Sequence, residues 1–407
     1  MLSRIFVNGF CLMGGAWRAS PSDNILIFTE AYGRNFCFMG TVIYSTGSGK
    51  GEFLRRTGIV KDRRYLDHGT GQYHAESPAR LEAIYAMIEQ PDMAGHFMKI
   101  MPRCADRREI ELLHAPDYIE QVACTAEKAH CYLDPDTETT SQSYETACLA
   151  VGGLFNAIDQ VMNNQIDNAF ALIRPPGHHA GKHKAAGFCL FNNIALGALY
   201  AIEKYGLKRI LIVDWDLHHG DGTAYAFRDD NRVLYFSTHQ YPAYPGTGAI
   251  GEIGQGPGQG YTINVPLKPG MTNEQYVRIY RKILKPLASA FKPELVLVSA
   301  GFDAYIQDPL GEMKVTPQGF AYLTRILMNI ADTCCQGRLV LALEGGYHID
   351  GLTASVKAVL KELRDETRIT EDELDRVENQ TEERFNPIDP LIDRVIEQID
   401  PFWRVFK

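Results

Sequence analysis

From residue 57 onward the chain alternates short β-branched apolar runs with longer stretches whose apolar residues recur at helical spacing. The runs predict strands over 170–173, 209–213, 233–236, 261–265, 295–299 and 339–343. The longer stretches predict helices over 144–162, 190–205, 273–291, 317–334 and 352–363. Strands and helices taking turns in this way imply an α/β fold, a mainly parallel sheet with helices on both faces. Residues 1–56 read differently, as an N-terminal extension of unknown role. Their apolar start is broken by Asn8 and several glycines and resembles a poor signal peptide without a convincing cleavage site. Strand-like runs follow at 25–28 and 42–44, and then Ser45-Thr46-Gly47-Ser48-Gly49-Lys50-Gly51 reads as a linker. Its glycine spacing is wrong for a phosphate loop. The central region, 57–365, reads as one catalytic domain. A charged segment and a helix occupy 366–407, with an amphipathic stretch at 391–399 before Pro401-Phe402-Trp403. That helix is expected to dock on its own domain or on a sister subunit rather than on a membrane, because its polar face carries both signs of charge.

The reactive residues sit just after the predicted strands: 174–179, 214–221, 237–239, 301–303 and 344–347. In an open parallel sheet the ligand crevice lies outside the carboxyl ends of the strands, so these five clusters should meet. That placement points to an enzyme. The richest cluster is Asp214-Trp215-Asp216-Leu217-His218-His219-Gly220-Asp221. If the strand runs on through it, Asp214, Asp216 and His218 share a face, because side chains alternate with period two. Asp216 and His218 then pair as metal ligands, and Asp303 completes an Asp2His set whose fourth position stays open to water, the arrangement of a catalytic zinc. A string of this kind alone reads equally well as a solvated loop or a set of helix caps; Asp303 and the other clusters tip the balance. His178 and His179 follow a rigid Arg174-Pro175-Pro176-Gly177 turn and could ligate metal, act as bases or fill space. Asp214 and Asp221 are the carboxylates left to orient them. Tyr347, after Glu344-Gly345-Gly346, could hydrogen-bond a carbonyl oxygen opposite the metal, or be an ordinary rim tyrosine.

Composition narrows the classes. The chain has 407 residues, 45% hydrophobic and 22% charged, which excludes disordered and collagen-like proteins. No run of 18 apolar residues is present to span a membrane. With 41 basic and 50 acidic residues the net charge is −9, which argues against direct nucleic-acid binding through phosphate neutralisation. Nine scattered cysteines without a CxxC pair suggest neither a disulfide framework nor a zinc knot, and a reduced, cytoplasmic setting is expected.

The series 174–179, then Gly187-Phe188-Cys189-Leu190-Phe191-Asn192-Asn193, 214–222, 299–303 and 344–347 resembles the zinc-dependent histone deacetylase family. Its Arg-Pro-Pro-Gly-His-His and Leu-Glu-Gly-Gly-Tyr strings are similar to the class II-like branch, which is related to the acetylpolyamine amidohydrolases. The likeness runs over about 57–365 and implies the arginase/deacetylase fold, with a central, mostly parallel sheet of about eight strands. It implies hydrolysis of an acetyl group from the side-chain amine of acetyl-lysine in a peptide or protein. Carried over position by position, it makes Asp216, His218 and Asp303 the ligands of one Zn2+. His179 would be the general base and then acid, His178 an electrostatic partner held by Asp214, and Tyr347 the carbonyl polariser. Gly187, Phe188 and Tyr244 would line the acyl-lysine tunnel. K+ would bind at an inner site of Asp214, Asp216, His218, Ser237 and Thr238, and at an outer site of Phe227, Asp230, Val233 and Tyr261. Asp221 stands where class II-like members usually carry Asn, and a carboxylate there should raise the pKa of His179. In polyamine-preferring relatives a glutamate follows the Asp-Pro step after the third zinc ligand. Here Asp308-Pro309 is followed by Leu310, whose apolar rim suits acetyl-lysine better. The rival readings are an acetylpolyamine amidohydrolase, a binuclear manganese ureohydrolase of the same fold, and a non-enzymatic acyl-lysine reader. The ureohydrolase would need extra His and Asp ligands, such as an Asp-Ala-His-x-Asp string, where this chain has Asp214-Trp215-Asp216-Leu217-His218.

Overall fold

Val, Ile and Leu dominate the strands at the centre of the molecule, and their side chains are buried on both faces. Eight strands pair into one sheet: β1 (Thr57–Val60), β2 (Met98–Ile100), β3 (Asn168–Ala171), β4 (Ile210–Asp214), β5 (Val233–Gln240), β6 (Thr262–Leu267), β7 (Leu295–Ala300) and β8 (Leu339–Leu343). Every pairing is parallel, and the order across the sheet is β6-β5-β4-β7-β8-β3-β1-β2. Each residue of β3, β4, β5, β7 and β8 is buried, which is why these strands are largely apolar rather than alternating. The computed structural model describes residues 54–71, 73–380 and 388–406, and within 1–53 only three strands. Those three, Ala16–Ala19, Ile25–Thr29 and Val42–Ser45, pair antiparallel in a unit of their own. The signal-like start and the glycine linker lie outside the described residues.

Several boundaries moved, some for identifiable reasons. β3 begins two residues early and ends at Ala171, two residues before the expected end. The helix expected from 190 starts at Asn193, since the Asn192 side chain caps it by accepting from Ala195 N at 3.0 Å, and it ends at Gly206 with φ +67°. The stretch 273–291 is helical throughout but passes through a π turn at Tyr280–Leu284 just before Pro286, which cannot donate to a regular ladder. β1 and β2 escaped the sequence pattern: both are short, and Gly58 of β1 sits where a Cβ would lie 2.5 Å from Ile166.

The segment after 365 belongs to the same compact unit as the sheet. Arg281 binds Glu371 at 2.9 Å and Glu378 at 2.6 Å, and Arg278 binds Asp389 at 2.6 Å. The final helix, Asp389–Trp403, buries Ile392, Val395 and Ile399. Trp403 closes it against the β6 edge, donating to Gly260 O at 2.7 Å and packing on Tyr261 and Phe291. No helix among the described residues is long and apolar enough to cross a membrane.

Candidate functional site

The strand order places β4, β7, β8 and β3 side by side, so the loops after them open into one crevice. β4 delivers 214–221, β7 delivers 301–303, β8 delivers 344–347, and β3 delivers 174–179. The Asp214 register confirms the depth: it stands opposite Ser299 on β7 and Ser237 on β5.

One expectation about this loop needs correcting. β4 stops at Asp214, so Asp216 and His218 do not share a strand face. A tight turn brings them together instead: Asp216 N donates to Asp214 Oδ1 at 3.1 Å, and His218 N donates to Asp216 Oδ1 at 2.8 Å. The outcome is still a cluster. Donor atoms of Asp216, His218 and Asp303 lie within 4.8 Å of one another. His218 Nδ1 is 3.0 Å from Asp303 Oδ2 and 3.2 Å from Asp216 Oδ1. Gly345 N steadies Asp216 Oδ2 at 2.9 Å, and Leu217 N steadies Asp303 Oδ1 at 2.7 Å. Glycine is required around them: a Cβ on Gly301 would fall 1.8 Å from Asp216 Oδ2, and one on Gly345 2.4 Å from Asp303 Oδ2. Burial, reinforced by the neighbouring Asp216 charge, pushes the Asp303 carboxyl up to about 7. Two buried carboxylates so close resist ionising together, a demand that a divalent cation meets. Two carboxylates, one imidazole and an open side fit a catalytic zinc.

The two histidines are each held by a carboxylate. His178 Nδ1 lies 3.1 Å from Asp214 Oδ2, and His179 Nδ1 lies 2.8 Å from Asp221 Oδ1. Their proton affinities diverge. Burial works to lower the pKa of His178, but Asp216 and Asp214 outweigh it and hold the ring protonated. Burial and the adjacent His178 push His179 down to about 4 despite Asp221. Asp221 does raise the His179 pKa, as expected of a carboxylate there, but desolvation outweighs it. Such divergence is how neighbouring groups acquire different roles in acid–base chemistry.

Around this centre Gly187 turns at φ +53°, and a Cβ there would meet His179 Cδ2 at 2.4 Å. Phe188 follows at φ +69°, a strained setting for an aromatic residue, with its N–H held by Thr137 Oγ1 at 3.1 Å. Its ring stands edge-on to Tyr347 at 5.9 Å. Tyr244 lies at the surface with its ring 5.1 Å from His179 and 6.1 Å from His218. Tyr347 N and His348 N both donate to Asp308 Oδ2, at 2.7 and 3.1 Å. Leu310 N donates to the other Asp308 oxygen, so the exposed Leu310 is tied to the Tyr347 turn.

Residues 74–363 match the histone deacetylase domain family. The chain belongs to the histone deacetylase family. It is 39% identical to the Arabidopsis thaliana protein named histone deacetylase 15 over 75% of its own length and 56% of that protein. It is 43% identical to the mouse protein named polyamine deacetylase HDAC10, over 71% of this chain and 44% of that one. It thus spans about half the length of these two relatives, but 82% of a 39% identical Archaeoglobus fulgidus protein named "Probable deacetylase". The crystal structure of the HDA15 HD domain superposes with a TM-score of 0.79 at 36% identity, covering 86% of this chain and 98% of that one. The α/β deacetylase fold follows, and membership makes the chain a deacetylase-type hydrolase.

The residues expected to form two K+ sites fall at opposite ends of β5. Asp214, Asp216, His218, Ser237 and Thr238 gather at the ends of β4 and β5, where the buried Thr238 Oγ1 has no hydrogen-bond partner. Phe227, Asp230, Val233 and Tyr261 gather at the opposite ends of β5 and β6. There Phe227 O accepts from Asp230 N at 3.0 Å and Tyr261 O from Tyr235 N at 2.9 Å, while Arg232 engages the Asp230 carboxylate. Sequence reading assigned no role to Glu76, Arg80 or Thr137. Only an i,i+4 Glu–Arg spacing at the start of a helix marked the first two, and that spacing is common on solvated faces.

Proposed function

We propose that this protein hydrolyses the acetyl amide of acetyl-lysine in peptides or proteins and that zinc is its metal. The observation that carries the reading is geometric: His178 and His179, each held at Nδ1 by its own carboxylate, stand beside an Asp2His cluster, with the His179 and His218 rings 6.0 Å apart. Zinc held by Asp216, His218 and Asp303 would supply Lewis acidity and bring the pKa of a water towards about 7. His179, with Nδ1 turned to Asp221, presents Nε2 to accept the proton of the attacking water and return it to the leaving amine. His178 stays charged against Asp214 and offsets developing negative charge. Burial holds the Tyr347 phenol protonated well above its ordinary range, so it can donate to the carbonyl oxygen. Phe188 and Tyr244 flank the lysine stem, and potassium at the two carbonyl-rich positions would support the loops.

Leu310, 42% exposed on the Tyr347 side, favours an acyl-lysine peptide over a cationic polyamine. Acetylpolyamine hydrolysis is the second reading, favoured by the 43% identity to a protein named polyamine deacetylase. The test compares metal-free and zinc-reconstituted protein on an acetyl-lysine peptide and on acetylspermidine. Zinc-dependent turnover that favours the peptide supports the proposal. Comparable turnover of both substrates would remove the lysine preference, and metal-independent turnover would remove the zinc.

A further inference from the structure

Beneath the site lies a buried ionic network that the mechanism above does not use. Glu76, Arg80 and Arg174 are fully buried. The Glu76 carboxylate is shared between the two guanidiniums: Oε1 receives Arg80 Nη1 at 3.0 Å and also pairs with Arg174 Nε, and Oε2 receives Arg174 Nη2 at 2.7 Å. Each arginine then reaches a different part of the site. Arg80 donates from Nε to Gly346 O at 2.7 Å and from Nη2 to Glu344 O at 2.5 Å, and its guanidinium stacks 5.1 Å from the Tyr347 ring. Arg174 opens the segment that carries His178 and His179, and its Nη1 ties the Tyr65 and His68 carbonyls. The Glu76 backbone is itself fixed, with its carbonyl accepting from Thr70 Oγ1 at 2.8 Å. The turn held by Arg80 includes Gly346 at φ +114°, a backbone state open to several alternatives unless its carbonyls are pinned.

From this geometry, and resting on the proposed deacetylase reading, we infer that Glu76 is a positioning residue that sets the Tyr347 turn relative to the His178–His179 segment. It touches no substrate. It orients Arg80 and Arg174 at once, and their forked donors convert one carboxylate into a fixed spacing between two loops. A misplacement of about 1 Å arising far from the chemistry can cost about 100-fold in rate, so a small relaxation of this spacing is enough to matter.

The experiment uses the full chain loaded with zinc, as wild type, E76Q and E76D. In E76Q the carboxamide keeps the volume but loses the charge shared by both guanidiniums. The expected result is a kcat on acetyl-lysine peptide about 10- to 100-fold lower, KM within about twofold, and unchanged zinc per chain. Hydrogen exchange in the segment 344–348 should also quicken. E76D keeps the charge with a shorter reach and should recover part of kcat. A merely structural role would lower the folded fraction but leave kcat per hydroxamate-titrated site and the exchange of 344–348 unchanged, and that result would overturn the inference. If E76Q does not fold, E76D is decisive, because full wild-type kcat and exchange in it would overturn the inference equally. A wild type inert on peptide and polyamine alike would sink the functional reading instead, and the exchange comparison would still decide the role of Glu76.

Discussion

His178 and His179 are adjacent and both buried, yet one is driven towards its charged form and the other away from it. The difference lies in what faces each ring: two carboxylates for His178, but one carboxylate and another imidazole for His179. A base must be neutral to accept a proton, so activity should fall on the acid side as pH drops through the His179 pKa, near 4. Asp221→Asn withdraws the charge that favours imidazolium, lowers that pKa and moves the acid limb of kcat/KM to lower pH by about one unit. A pH–rate profile of the variant checks this, and an unmoved limb would dissolve the pairing. Tyr347→Phe should cost about 100- to 1000-fold in kcat while retaining metal, as expected for one lost oxyanion donor. Asp303→Ala should lose the metal itself, and zinc content measured beside rate separates the two. The types and order of these residues were legible in the sequence because each follows a strand. The net proton affinity of His179 was not, since burial and a neighbouring imidazole leave no mark on spacing.

At the scale of elements, chemistry depends on which strands are neighbours. β7 inserts between β4 and β8, so Asp303 arrives beside Asp216 although 86 residues separate Asp303 from Leu217, the residue it anchors. The turn after β7 must be glycine at 301, because the ligand carboxylate fills the space of a side chain. Gly301→Ala should therefore weaken metal binding by about 10- to 100-fold, the loss typical of disturbing a ligand's support. Chelator competition measures this, and wild-type affinity in the variant would show that the turn can yield. Apolar runs made six of the eight strands legible, together with their parallel pairing. β1 and β2 were not, because a four-residue strand containing glycine and a three-residue edge strand exposing Met98 lack a periodic signal. Whether the strand runs on through 214–218 was not legible, because a DxDxH string satisfies period two in either conformation.

For the molecule as a whole, one question is what protects the sheet's edge. β6 has β5 on one side only, and the Asp389–Trp403 helix lies against it, with Trp403 bound to Gly260 O. The sequence showed an amphipathic helix after a charged segment but could not show its partner, because an apolar stripe does not name the surface it covers. Ile399 is 1% exposed, so Ile399→Ala should lower stability by about 2–5 kcal/mol, read by denaturant unfolding. Truncation after residue 387 goes further, removing the helix and leaving an apolar face beside an unpaired strand. An uncovered edge of this kind templates pairing with another chain. The truncated protein should then associate as its concentration rises, seen by light scattering, while its zinc ligands, on the loops after β4 and β7, remain intact. A truncated protein that stays monodisperse and as stable as the full chain would show that the helix is not what guards β6.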